Sequence, residues 1–247
     1  MSTATAATTT AAHNSPPEAK RPNWFARISM AIIALLWTVP TIGMIVTSFR
    51  PLTQAESSGW WSTFLHGKYI SSLTFANYTE AIEKASLWRA FVNSFAITLP
   101  ATFIPILIAA FAAYAFTFME FKGRDVLFLT IVSLLVVPNY VAFVPIQKLY
   151  AQIGIGGSFP TVWLAHIGFG MSLAIYILRN YMATLPRTVI ESAKIDGASH
   201  FQTFWKLVLP MSMPALASFA IFQFLWVWND LLVALVFVGP NEDTRPV

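Results

Sequence analysis

The chain has 247 residues and no cysteine, which excludes disulfides and thiolate metal sites. Charge is scarce: Asp, Glu, Lys and Arg make up 11% of it, against about 25% in soluble domains. There is no Gly-x-x-x-x-Gly-Lys-Ser/Thr loop to cradle nucleotide phosphates, since Gly67-Lys68 lacks both the upstream glycine and a following Ser or Thr. His13, His66, His166 and His200 are scattered, so no metal spacing emerges. With no nucleophile elbow and no paired acid and base, the sequence offers no catalytic residue and no cofactor. No repeat is evident at periods of about 20 to 50 residues. Residues 1–19 hold no Lys or Arg, and no Ala-x-Ala-like cleavage site follows the first apolar run, which argues against a secretory signal. We read residues 1–27 as a disordered cytoplasmic N-terminal tail.

What is present is hydrophobic: 56% of residues, with a mean hydropathy of +0.62. Residues 28–48 carry no charge and, at about 1.5 Å per residue, cover a hydrocarbon core of about 30 Å. Similar runs at 91–118, 126–146, 159–178 and 211–238 bring the expectation to five spans in an all-α polytopic membrane protein. The expected division is a first span at 28–49, an extracytoplasmic loop at 50–89 and a core at 90–247. Pro100, Pro105 and Pro138 fall inside spans, where neighbouring helices re-satisfy freed backbone groups; each marks either a kink or mere packing.

Basic residues set the orientation. With the N-terminus in the cytoplasm, the inner side collects Lys20, Arg21, Arg27, Lys122, Arg124, Arg179, Arg187, Lys194 and Lys206, nine against six outside. The outer six are Arg50, Lys68, Lys84, Arg89, Lys148 and Arg245. This inner bias explains a pI near 9.4 without nucleic acid, and it places the chain in the cell membrane as a multi-pass protein. The outer segment carries Trp60, Trp61, Phe64, Phe75, Tyr78 and Trp88, which serve either as interfacial anchors or as a contact surface for an external protein.

One polar stretch, residues 187–210, interrupts the apolar runs and is predicted to face the cytoplasm. Thr188 and Glu191 have capping-box spacing, so a short helix is expected to start there and run to about Asp196. Gly197 suits the position after a helix end, and Lys194 the last turn. Ser199 and Gln202 form a second capping box, followed by an apolar stripe of Phe201, Phe204, Trp205 and Val208. Pro210 is expected to close the segment. Farther on, Asp230 follows Trp226-Val227-Trp228-Asn229 within an apolar run, where an ionisable group costs about 2.5 to 3.5 kcal/mol unless it faces protein or water.

The spacing Glu191-Ser192-Ala193, Gly197, Leu207, Leu209-Pro210 resembles the loop of permease subunits of binding-protein-dependent ABC importers. That pattern reads Glu-Ala-Ala, Gly, Ile, Leu-Pro, so one Ala is Ser here and Ile is Leu. Ile195-Asp196-Gly197-Ala198, Phe204 and Pro214 resemble the carbohydrate-importing branch. Weaker matches (Asn77-Tyr78, Asn93-Ser94, Ala112-Ala113-Tyr114-Ala115 before Phe121-Lys122-Gly123-Arg124, and Pro138 with Pro145 before Leu149-Tyr150) extend the likeness from about residue 73 to 240.

The resemblance implies a translocation pathway shared with a second permease subunit, and partners in the form of cytoplasmic ATP-binding subunits and an extracytoplasmic solute-binding protein. It implies a coupling loop at 183–209 in which Glu191, Ala193, Asp196, Gly197, Ala198, Phe201 and Phe204 meet the ATPase, and a pathway or gating role for Asn229 and Asp230. The residues alone leave other readings: Glu191 as a helix cap, Phe204 or Trp205 packed on the chain's own spans, and Asp230 as a structural hydrogen-bond acceptor. The family norm is six spans with both ends inside; five are expected here, which suggests truncation. The rival function is an ion-coupled secondary transporter or channel subunit, disfavoured because Asp230 is nearly the sole intramembrane charge.

Overall fold

The structure, a computed structural model, describes residues 23–83 and 86–239; the expected N-terminal tail up to residue 22, Lys84 and Arg245 lie outside the described residues. The chain divides into two compact units, Met1–Glu80 and Ala81–Val247.

In the first unit, α1 (Trp24–Ser48) starts four residues ahead of the expected span because Asn23 caps it, its Oδ1 accepting from the Ala26 N–H at 3.0 Å. Almost all of α1 is bare; Gly43 alone is buried, under the indole of Trp60. A Cβ at Gly43 would stand 2.7 Å from the Trp60 Nε1, so glycine is what admits the ring. Four short helices follow: α2 (Leu52–Ser57), α3 (Ser62–Leu65), α4 (Gly67–Ile70) and α5 (Ala76–Glu83). They fold around Arg50, 1% exposed, whose guanidinium donates to the carbonyls of Gln54 (2.7 Å) and Ser58 (2.9 Å) and to the Ser58 hydroxyl (2.6 Å). Asn77 ties the far end back, its Nδ2 donating to the carbonyls of Ser48 and Arg50 at 2.8 Å each. Carbonyl dipoles can hold a buried cation that has no carboxylate beside it, because charge-assisted hydrogen bonds are about twice as strong as neutral ones. Trp60 thus packs inside this unit, whereas Trp61, Phe64 and Phe75 are exposed.

The second unit is built on α6 (Leu87–Phe118) and α9 (Phe159–Met182). The 32-residue α6 runs unbroken through Pro100 and Pro105. Ala101, Ala109, Ala110 and Ala113 on α6 and Ala174 on α9 are fully buried, and small side chains of this kind let membrane helices approach closely and gain dispersion contacts. The third side is closed by α13 (Met213–Asn229), whose Gln223 is buried against Gly170 of α9 and donates from Nε2 to the Ala101 carbonyl at 3.4 Å.

Two expected spans are broken. The run 126–146 becomes α7 (Arg124–Ser133) and α8 (Phe143–Gln152), joined by short 3₁₀ turns around Pro138 and bent by 95°. Pro138 lacks an N–H and restricts Val137 to an extended backbone, ψ 121°, so the helix stops there. The run 211–238 ends α13 at Asn229 and resumes as α14 (Leu231–Phe237), because Asp230 leaves helical geometry (ψ 76°) and its Oδ1 accepts from the Val233 N–H at 3.1 Å. Among the described residues three helices are long and apolar enough to cross a membrane, or up to five if two bent pairs, residues 124–136 with 139–152 and residues 200–211 with 213–229, each count as one span.

Candidate functional site: the polar loop between α9 and α13

The loop begins with α10 (Arg187–Ile195), and its first predicted cap does not form. Pro186 holds the N-cap position instead, so Thr188 already lies inside the helix, where its carbonyl accepts from the Ser192 hydroxyl at 2.8 Å. The other end matches the expectation. Asp196 is the C-cap, Gly197 takes φ +78°, and the N–H groups of Gly197 and Ala198 bond the carbonyls of Lys194 (3.1 Å) and Ala193 (2.9 Å). This pair of bonds is a Schellman closure, which needs a left-handed residue at the glycine position.

After that break, α11 (His200–Thr203) opens with the predicted capping box: the Gln202 N–H donates to Ser199 Oγ at 3.3 Å, and the Ser199 N–H to Gln202 Oε1 at 2.9 Å. The helix then widens into one π-turn, Phe204–Val208, and tightens again as α12 (Leu209–Met211). Pro210 therefore does not end the segment. Its ring would clash with the carbonyl four residues back in a regular helix, and the wider turn gives it room. The stop comes at Ser212, where the chain bends by 72° into α13.

The π-turn also splits the predicted stripe. Phe204 (1% exposed) and Val208 (0%) turn inward, and Phe204 stacks on Phe111 of α6 with centroids 4.4 Å apart. Trp205 packs back edge-on to the same Phe111. Phe204 is thus withdrawn from the outer surface where the family resemblance put it, and Ala193, also buried, faces inward beside Ile190. Left outside are Glu191, Asp196 and Gly197, with Ala198 half-buried, Phe201 at 65% exposure and Ile195 at 86%. Ile195, part of the Ile-Asp-Gly-Ala variant but not one of the expected partner contacts, is thus the most exposed apolar residue of the loop among the described residues. An isoleucine at a helix end next to a solvated Asp-Gly pair is the signal that marks it.

Asn229 and Asp230 are not side by side in one cavity. The Asn229 side chain is exposed and its amide donates to the Leu225 carbonyl at 2.7 Å, while Asp230 caps α14 beside Ser94, Thr98 and Trp228. The larger cavity in this unit, about 570 Å³, is lined by Leu134, Pro138, Asn139, Phe169, Ser172 and Trp226. Behind Trp226, its ring 6.0 Å from the indole, lies His166, 1% exposed and with neither ring nitrogen hydrogen-bonded among the described residues.

Residues 105–245 match the family described as binding-protein-dependent transport system inner membrane component. The chain is 50% identical over 220 residues to the osmoprotective compounds uptake permease protein GgtD of Synechocystis sp., covering 89% of this chain and 74% of that one. It is 38% identical to the alpha-glucoside transport system permease protein AglG of Rhizobium meliloti, covering 89% and 83%. Among solved structures, a bacterial ABC transporter for import of the acidic polysaccharide alginate superposes with a TM-score of 0.73 at 21% identity, over 90% of this chain and 75% of that one. A membrane-embedded helical core, a polar two-helix loop with the family's Gly197 break, and these relatives lead to one assignment: the chain belongs to the permease subunits of binding-protein-dependent ABC importers, in the company of sugar permeases.

Proposed function

We propose that this chain forms one half of a carbohydrate translocation pathway, paired with a second permease, and that residues 183–209 couple it to ATP-binding subunits in the cytoplasm. The single observation carrying this reading is the two-faced loop. Ile190, Phe204 and Val208 are buried in the chain's own core, while Glu191, Ile195, Asp196, Gly197 and Phe201 are presented outward. Exposed apolar side chains on a short helix pair, rimmed by polar residues, suit a groove in a soluble partner. The ATPase contacts are then Glu191, Ile195, Asp196, Gly197, Ala198 and Phe201, with Phe204 and Ala193 as inner supports.

With the loop inside, the N-terminus is also cytoplasmic, and the unit around Arg50 lies outside, where a solute-binding protein delivers its cargo through Trp61, Phe64 and Phe75. The cavity near Trp226 belongs to the pathway wall. Its mix of an indole, Ser172 and Asn139 suits a sugar, which presents both apolar ring faces and hydroxyls. Asn229 borders the pathway and Asp230 fixes the break after α13.

The test is co-purification with the ATPase and energised uptake, comparing wild type with Gly197→Pro and Glu191→Lys. Both variants are expected to insert normally but to lose ATPase assembly or to uncouple hydrolysis from uptake. Full coupled uptake in both would overturn the assignment.

A further inference from the structure

The loop is joined to α9 and α13 through the chain itself and to α6 through side chains alone, and Tyr114 stands on that last connection. It lies near the end of α6, 4% exposed, within the Ala112-Ala113-Tyr114-Ala115 run whose role the proposed function leaves open. Its hydroxyl is 3.0 Å from Nδ1 of His200, a residue 86 positions away that opens α11. The bond holds with either imidazole tautomer, since a phenol can donate to a bare Nδ1 or accept from a protonated one. The Tyr114 ring also meets Phe204 edge-on at 5.5 Å, and Phe111, one turn earlier on α6, stacks on that same phenylalanine. The capping box at Ser199 and Gln202 holds His200 at the first turn, so the imidazole is presented from a fixed backbone. Next to Tyr114, Ala113 is fully buried, in the core that joins α6 to α9.

The chain-continuous route into α13 is bent. It passes through the π-turn, the donorless Pro210 and the 72° bend at Ser212. An apolar groove of about 490 Å³, lined by Phe103, Ile106, Leu107, Leu209, Met213 and Leu216, runs along the seam between α6 and the first turns of α13. A force on the outer face of α11 therefore has a short, part-buried connection to α6 and a bent one to α13.

We propose that Tyr114 is a positioning residue that latches the coupling loop to α6 through His200, so that the α6–α9 pair takes up the loop's movement and α13 follows. This inference rests on the ATPase-docking reading of the loop. The test uses the whole transporter, reconstituted in liposomes with its ATPase subunits, second permease and binding protein, and reads solute taken up per ATP hydrolysed.

Tyr114→Phe, which keeps the ring and loses only the hydroxyl, is expected to lower that ratio about fivefold, roughly what one net hydrogen bond is worth. His200→Ala should lower it equally, the double variant should be no worse than either single, and His200→Asn, whose amide reaches the place of Nδ1, should restore most of it. A purely structural role would reduce the amount of folded transporter and leave the ratio alone. A wild-type ratio in Tyr114→Phe, or a double variant equal to the product of the singles, would overturn the latch. Gly197→Pro measured in parallel separates the two ideas: if it stays fully coupled the docking reading fails, and if it uncouples while Tyr114→Phe does not, only the latch fails.

Discussion

Helix α1 and the α6–α9 pair are all apolar enough to cross a membrane, yet 6% of the most apolar window of α1 is buried within the protein, against 44% for α6 and 50% for α9. The difference lies in side-chain size and polarity. On α6 and α9, Ala101, Ala109, Ala113 and Ala174 line one face with Gly170, and buried Thr98, Thr102 and His166 accompany them. On α1 the exposed face carries Trp24, Phe25, Leu35, Leu36 and Trp37, and among the described residues its close contacts gather toward its C-terminal end, at Gly43 with Trp60 and at Ser48 with Asn77 and Tyr78. Hydropathy thus reports that the surroundings are not water, while small residues report a protein neighbour, because lipid chains are as apolar as leucine and give no reason to pack.

That contrast can be broken by substitution. The largest effect is expected for Phe204→Ala, which empties the stack on Phe111 and Tyr114 and should cost about 3 to 5 kcal/mol, read as a lowered midpoint of thermal unfolding in detergent. Gly170→Leu comes next. A Cβ there would already lie 2.9 Å from the Gln223 amide, and the added bulk should cost about 3 kcal/mol and release α13 to limited proteolysis. Ser199→Ala should cost about 1 kcal/mol, seen as faster amide exchange over residues 200–203, whereas Thr188→Ala, at the cap that never forms, should leave exchange in α10 unchanged. The smallest change is expected for Trp37→Ala, 80% exposed on α1, at about 0.5 kcal/mol or less; a loss comparable to Gly170→Leu would show that the bare face of α1 is packed on protein.

The polar loop was the most legible part of the sequence because its signals act over three or four residues. Gly197 ends α10 and the Ser199–Gln202 box starts α11 as their spacing requires, whatever surrounds them. Thr188 misled because Pro186 one step earlier competes for the same role. Asp230 stands within a continuous apolar run by composition, but Asp ahead of Leu-Leu-Val is also a helix-start signal, and here it splits the run. Prolines show the limit: Pro138, followed by the turn-former Asn139, breaks its helix, while Pro100 and Pro105, followed by Ala101 and Ile106, sit inside an unbroken α6. In α6 the surrounding helices hold the backbone in line, and that is a long-range property.

The sequence by itself determined the all-helical membrane class and the turn chemistry of the loop, since composition and capping are local and additive. Which side of the loop faces inward was decided only in three dimensions. One π-turn, Phe204–Val208, ahead of Pro210, goes with Phe204 buried on α6 while Phe201 stays outside. No regular periodicity anticipates that shift, because a π-turn breaks the 3.6-residue repeat from which a stripe is read.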